Sequence, residues 1–176
     1  MSGSAPLAAA PAAARPWPWL ALALGVVAAD QLSKASIQSA LSAGGWIPVN
    51  GYFNLVLAFN RGAAFSFLNG AGGWQGYFFL GVALAASVVI VRLLLRPGNS
   101  LALRLALALI LGGALGNAVD RIRYGHVVDF LDFHWPWLEP LFPGGHFPAF
   151  NLADSAITAG VALLVVDELL RLRRKP

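Results

Sequence analysis

The chain has 176 residues, 58% of them apolar and 11% charged, with a formal net charge of +4. Soluble domains carry about 25% charged residues, so this composition excludes an ordinary soluble protein and points to a membrane protein of one domain. No cysteine is present, which removes disulfides, thiolate metal sites, a cysteine nucleophile and lipid attachment to a cysteine of the chain itself.

Residues 1–14 are rich in Ala, Pro and Ser and read as a disordered extension, so the expected division is 1–15 as extension and 16–176 as a single domain. Arg15 followed by an apolar run resembles the start of a secretory signal peptide. No convincing cleavage site follows and three more apolar stretches do, so a retained first helix is expected. Span one runs from about 17 to 36, with Pro16 and Pro18 suited to a first helical turn. Span two covers about 74 to 95, inside a stretch from Gly62 to Val91 that carries no charge. Span three follows the Arg96-Pro97-Gly98-Asn99 turn and covers about 101 to 119. Span four covers about 152 to 170. Each approaches the roughly 20 residues a helix needs to cross a bilayer. The fold class predicted is an all-α membrane protein with four transmembrane helices.

Lysine and arginine set the expected orientation. Eight of the twelve lie at Arg15, in the turn after span two (Arg92, Arg96, Arg104) and in the tail (Arg171, Arg173, Arg174, Lys175). All three regions fall on one side, so both termini are predicted to be cytoplasmic. The positive charge is then a topology and lipid-headgroup signal, and no nucleic-acid partner is expected. Six of the eight acids belong to the opposite face: Asp30, Asp120, Asp129, Asp132, Glu139 and Asp154. Any chemistry belongs on that extracytoplasmic side. Two long outer segments, 37–73 and 121–150, supply the rest. The run Tyr52-Phe53-Asn54-Leu55-Val56-Leu57-Ala58-Phe59 is strand-like, so a small extracytoplasmic β-containing segment is predicted. Trp135 and Trp137 suit an interfacial belt.

Asp30 and Lys34 share a helix face at i,i+4. Asp30 sits about 20 Å along span one, short of the far edge of a core roughly 30 Å thick. Two readings stand: an ion pair that neutralises itself near the interface, or a brace for a site. Asn117, Asp120 and Arg121 end span three, with Asn117 on the face of Asp120 and Arg121. Asp120 reads as structural, and Arg121 as a group able to hold a substrate carbonyl or a carboxylate. Asn151 and Asp154 have the spacing of an N-cap and its N3 partner. Asp129, in apolar surroundings across the loop from Asp154, raises a second role for that residue. His126, His134 and His146 lie in the same outer segment, but without a tight ligand spacing. They read as solvated or interfacial, with no metal expected.

Two carboxylates close together cannot both ionise easily, so one pKa rises and the pair shares a proton. One member then takes a proton from water while the other donates one, as in aspartic proteases. Five motifs appear in order: Asp30-Gln31-Leu32-Ser33-Lys34; Asn60-Arg61-Gly62-Ala63-Ala64-Phe65; Gly116-Asn117-Ala118-Val119-Asp120-Arg121; Val127-Val128-Asp129-Phe130; and Phe150-Asn151-Leu152-Ala153-Asp154-Ser155. With them the chain resembles the lipoprotein signal peptidases (signal peptidase II, aspartic peptidase family A8), over about residues 20 to 170. The resemblance implies a multi-pass enzyme of the bacterial inner membrane. Asp129 and Asp154 are implied as its catalytic dyad, near the extracytoplasmic face, with no cofactor. Asn60, Asn117, Arg121 and Asn151 are implied around dyad and substrate, and Asp30, Lys34 and Asp120 in support. The implied partners are membrane lipids, the prolipoprotein signal peptide with its diacylglyceryl-cysteine, and globomycin-type inhibitors. Two other readings carry less of the sequence. A proton-coupled small transporter would place its charges nearer the midplane, and a metal hydrolase would use the three histidines.

Overall fold

The computed structural model describes residues 15–62 and 74–173. The expectations for the extension 1–14, for 63–65 of the Asn60 motif and for the basic residues 174 and 175 lie outside the described residues. Four long helices lie among the described residues: α1 (Trp17–Ala40), α2 (Gln75–Leu94), α3 (Leu101–Tyr124) and α4 (Leu152–Arg173). Strands β1 (Trp46–Asn50), β2 (Phe53–Asn60) and β3 (Val127–Phe133) form one antiparallel sheet in the order β1-β2-β3.

Helices α1, α2 and α3 are long and apolar enough to cross a membrane. Their outer faces leave large side chains such as Leu24, Leu32, Tyr77, Phe78, Val82 and Val88 exposed, as lipid-facing surfaces require. Helix α3 is the central element, packing against α1, α2 and α4. Its approach to α4 is close because of glycine. A Cβ at Gly113 would collide with the carbonyl oxygen of Ala153, and one at Gly160 would lie 2.7 Å from the carbonyl oxygen of Ala106.

Two helices run further than the sequence predicts. Helix α1 continues to Ala40 rather than stopping near 36, and α3 reaches Tyr124 rather than about 119. In both, the polar residues Asp30, Lys34, Asn117 and Asp120 are buried inside the molecule, so the helix need not end where they begin. Past them, Ile37 joins a second apolar cluster with Leu57, Val128 and Phe130, which fastens α1 to the sheet. Helix α3 stops at Gly125, whose positive φ of 73° closes the helix with its amide on the Arg121 carbonyl.

The segment 121–150 departs most from expectation. It reads as a loop in sequence, yet Val127–Phe133 is a strand with both faces largely covered, and Asp129 lies within it. Ala58 of β2 pairs with Asp129, and the register shifts between Leu55 and Ala58 just before that pair. On the other edge of β3, the amides of Phe130 and Leu131 donate to the Phe150 carbonyl at 3.0 and 2.8 Å. This pairing delivers Asn151 and the start of α4 to the flank of Asp129.

Candidate active site

Asp129 and Asp154 converge from β3 and α4. Asn151 joins them. Its Nδ2 donates to Asp129 Oδ1 at 2.8 Å and to the Val128 carbonyl at 3.2 Å. Its Oδ1 accepts the Asp154 amide at 2.9 Å, while Asp154 Oδ2 accepts the Asn151 amide at 3.3 Å. That reciprocal pair is a capping box with asparagine at the N-cap and aspartate at N3. The cap and the site are therefore one structure, and the cap orients the Asp154 carboxylate. The other oxygen of Asp154, Oδ1, accepts from Asn117 Nδ2 at 2.7 Å. Asn117 Oδ1 in turn accepts from Asn151 Nδ2 and from Lys34 Nζ, each at 3.1 Å.

Asp129 is only 2% exposed, whereas Asp154 is half-buried. Burial, reinforced by the charge of Asp154, pushes the Asp129 carboxyl up to about 7, against the opposing hydrogen bonds from Asn60 and Asn151. Near neutral pH the Asp129 carboxyl therefore still holds its proton in part. Asn60 is itself held by a local turn, its Oδ1 accepting the Gly62 amide at 2.8 Å. Asp154 opens onto a groove of about 720 Å³ lined by Asn60, Phe147, Phe150, Ser155, Thr158 and Ala162.

A second layer sits behind the pair. Lys34 Nζ contacts Asp30 Oδ2 and Asp120 Oδ2, both at 2.8 Å, and donates to Asn117 as its third partner. All three ammonium protons are thereby used. Asp30 Oδ1 accepts the amide of Ala153 at 3.0 Å, and Asp120 Oδ2 accepts the amide of Val128 at 3.1 Å. Ala153 immediately precedes Asp154, and Val128 immediately precedes Asp129. Each acid of the buried triad thus holds the backbone one residue before an acid of the pair. Asp30 and Lys34 thus do not stand as an isolated ion pair, since Asp120, Asn117 and the Ala153 amide join them.

Gln31 carries no assigned role in the sequence beyond its place in the first motif. Its Nε2 donates to Asp120 Oδ1 at 2.7 Å and reaches Asp30 Oδ2 and the Gly116 carbonyl at 3.2 Å. It lies one residue from Asp30, off the i,i+4 face that drew attention to Lys34. Only its place inside the first motif marked it. Arg121 donates to the Asn117 carbonyl at 3.3 Å and lies 5.6 Å over the Phe79 ring. Its Nε is buried and makes no hydrogen bond among the described residues.

The histidines do not act as a threesome. His126 packs on Phe59 and Tyr124, while His134 and His146 stack with their centroids 4.8 Å apart beside Asp132. Trp135 and Trp137 form a stacked row with Tyr52 and Phe133.

Fold and site together define a helical protein of the membrane type, with a carboxylate pair at the junction of bundle and sheet. A family model described as signal peptidase (SPase) II matches residues 22–170. The chain belongs to the signal peptidase II family and is a peptidase. It is 54% identical over 157 residues to the lipoprotein signal peptidase of Ralstonia nicotianae, covering 89% of this chain and 87% of that protein. The lipoprotein signal peptidase of Burkholderia vietnamiensis is 53% identical over 156 residues, at 89% and 90% coverage. A bacterial membrane enzyme solved by the in meso method at 2.3 Å resolution superposes with a TM-score of 0.76. It shares 30% identity, with 91% of this chain and 92% of that one aligned. Family membership displaces the transporter reading.

Proposed function

We propose that the chain is an aspartic endopeptidase that removes the signal peptide of prolipoproteins, cutting before the diacylglyceryl-modified cysteine, with Asp129 and Asp154 as the catalytic dyad. The observation that carries this is the single residue Asn151, whose side-chain Nδ2 donates to the Asp129 carboxyl and whose backbone amide donates to the Asp154 carboxyl. With the shared proton on Asp129, the Asp154 carboxylate takes a proton from a water molecule. The water oxygen attacks the scissile carbonyl carbon while Asp129 gives its proton to the carbonyl oxygen. Return of a proton to the amide nitrogen lets the tetrahedral intermediate break the C–N bond. Asn60, Asn117 and Asn151 hold the carboxylates in position, and the Arg121 guanidinium adds positive charge beside them. The apolar groove beside Asp154 takes the signal peptide, and the lipid chains hold the bond at the depth of the dyad, which converts membrane anchoring into orientation. Globomycin-type peptides would occupy the same groove.

In this reading α4 is the fourth span. It is 22 residues long, about 33 Å at 1.5 Å per residue, and exposes Val161, Val165, Val166 and Leu169 along its outer side. Both termini are then cytoplasmic, the sheet and dyad are extracytoplasmic, and the membrane is the bacterial inner membrane. Residues 1–15 are an extension to a single four-span domain.

The test is cleavage of a purified lipidated prolipoprotein peptide in chelator by the wild type, Asp129→Asn and Asp154→Asn. Each variant is expected to fold and to lose at least about a thousandfold in rate, the scale of positioned acid–base catalysis. Near-normal turnover by either variant sinks the dyad.

A further inference from the structure

Three side chains that the peptidase chemistry does not use gather on the sheet, away from the dyad. Asp132, His134 and His146 each present one ligand atom, and these atoms lie within 4.8 Å of one another. Asp132 is three residues beyond Asp129 on β3. Odd spacing in an extended strand places the two on opposite faces, so this cluster is separate from the dyad. His134 follows on the face of Asp132. His146 returns beside it through an isolated antiparallel bridge between the two histidines, after the turns at Pro136–Leu138 and Pro143–Gly145.

We propose that these residues form a site for a divalent transition metal, zinc by preference, that fastens the aromatic loop 135–145 to the end of β3. Two imidazoles and one carboxylate are a donor set that suits zinc, and three protein ligands leave a fourth position open. Tetrahedral zinc at its usual bond lengths spaces ligand atoms about 3.3 Å apart, so the widest pair must close by about 1.5 Å. His146 Nδ1 already lies 2.9 Å from both oxygens of Asp132. Asp132 is buried and is held from behind by Asn54, whose Nδ2 donates to its Oδ2 at 2.8 Å. Such an outer partner orients a metal-binding carboxylate. The open position faces a cavity of about 670 Å³ lined by Trp46, Asn50, Asn54 and Val56 along with the three ligands. A water molecule or a small anionic ligand can complete the coordination there.

The test uses the full chain, purified in detergent with a tag free of histidine and stripped with EDTA. Titration with zinc chloride is expected to show one equivalent bound per chain. His134→Gln and His146→Gln should each weaken binding by at least about tenfold, while His126→Gln leaves it unchanged. Zinc should also raise the Tm of the wild type and not that of His146→Gln, a half-exposed position where the substitution is tolerated. Absence of stoichiometric binding, or binding undiminished in both His134→Gln and His146→Gln, overturns the proposal.

Discussion

Asp129 shows how far one residue's chemistry depends on its enclosure. Its ordinary value of 3.8 rises to about 7 because it is buried and faces Asp154. Between those values the folded chain keeps a proton that the unfolded chain has released. Its contribution to stability is therefore complete below about pH 4 and is lost as pH rises through 7, by up to about 1.4 kcal/mol per unit. Asp129→Asn cannot ionise. Its Tm relative to wild type, followed by thermal unfolding in detergent, is expected to climb between about pH 5 and 7 and to level off above. Parallel Tm curves would show that Asp129 is not the group that holds the proton. The cleavage rate should fall on the alkaline side with an apparent pKa near 7 that belongs to the pair. The sequence marks Asp154 as a helix cap and sets Asp129 across the loop from it as its candidate partner. The geometry of their meeting is not legible, because it depends on the pairing of Phe150 with β3.

Among the elements, α3 is the one on which the site's precision rests. Its contact with α4 is set by the missing side chain at Gly113, which lies against the Ala153 carbonyl one residue before Asp154. Gly113→Ala must push α4 outward, at a cost of about 1–3 kcal/mol for an overpacked contact. A displacement approaching 1 Å at a reacting group can cost about a hundredfold in rate. The expected outcome is a lowered Tm together with a drop in cleavage larger than the stability loss explains. Gly25→Ala, where an added Cβ meets open space, should change neither. Helix identity is readable from the long apolar runs of about 20 residues. Strand β3 was not. It is covered on both faces and so lacks the alternation that reveals a half-buried strand.

For the molecule as a whole, the triad of Asp30, Lys34 and Asp120 joins the bundle to the sheet. Through the amides of Val128 and Ala153 it links α1, α3, β3 and α4 at a single point. Removing the cation leaves two acids buried without compensation. Lys34→Met is therefore expected to lose about 3–5 kcal/mol, read as a fall in Tm, and to lose cleavage with it. A variant that kept wild-type Tm would show that the triad is not what ties these elements. The amino-acid sequence by itself determined the membrane class, the four helices and the list of acids, because hydropathy, span length and i,i+4 spacing are local properties. Only the tertiary structure decided how Asn151 joins two of the acids, that Asp30 and Asp120 share Lys34, and that two of three histidines stand together. Those relations join residues up to 123 positions apart, as where the Ala153 amide donates to the Asp30 carboxylate, and no local pattern encodes them.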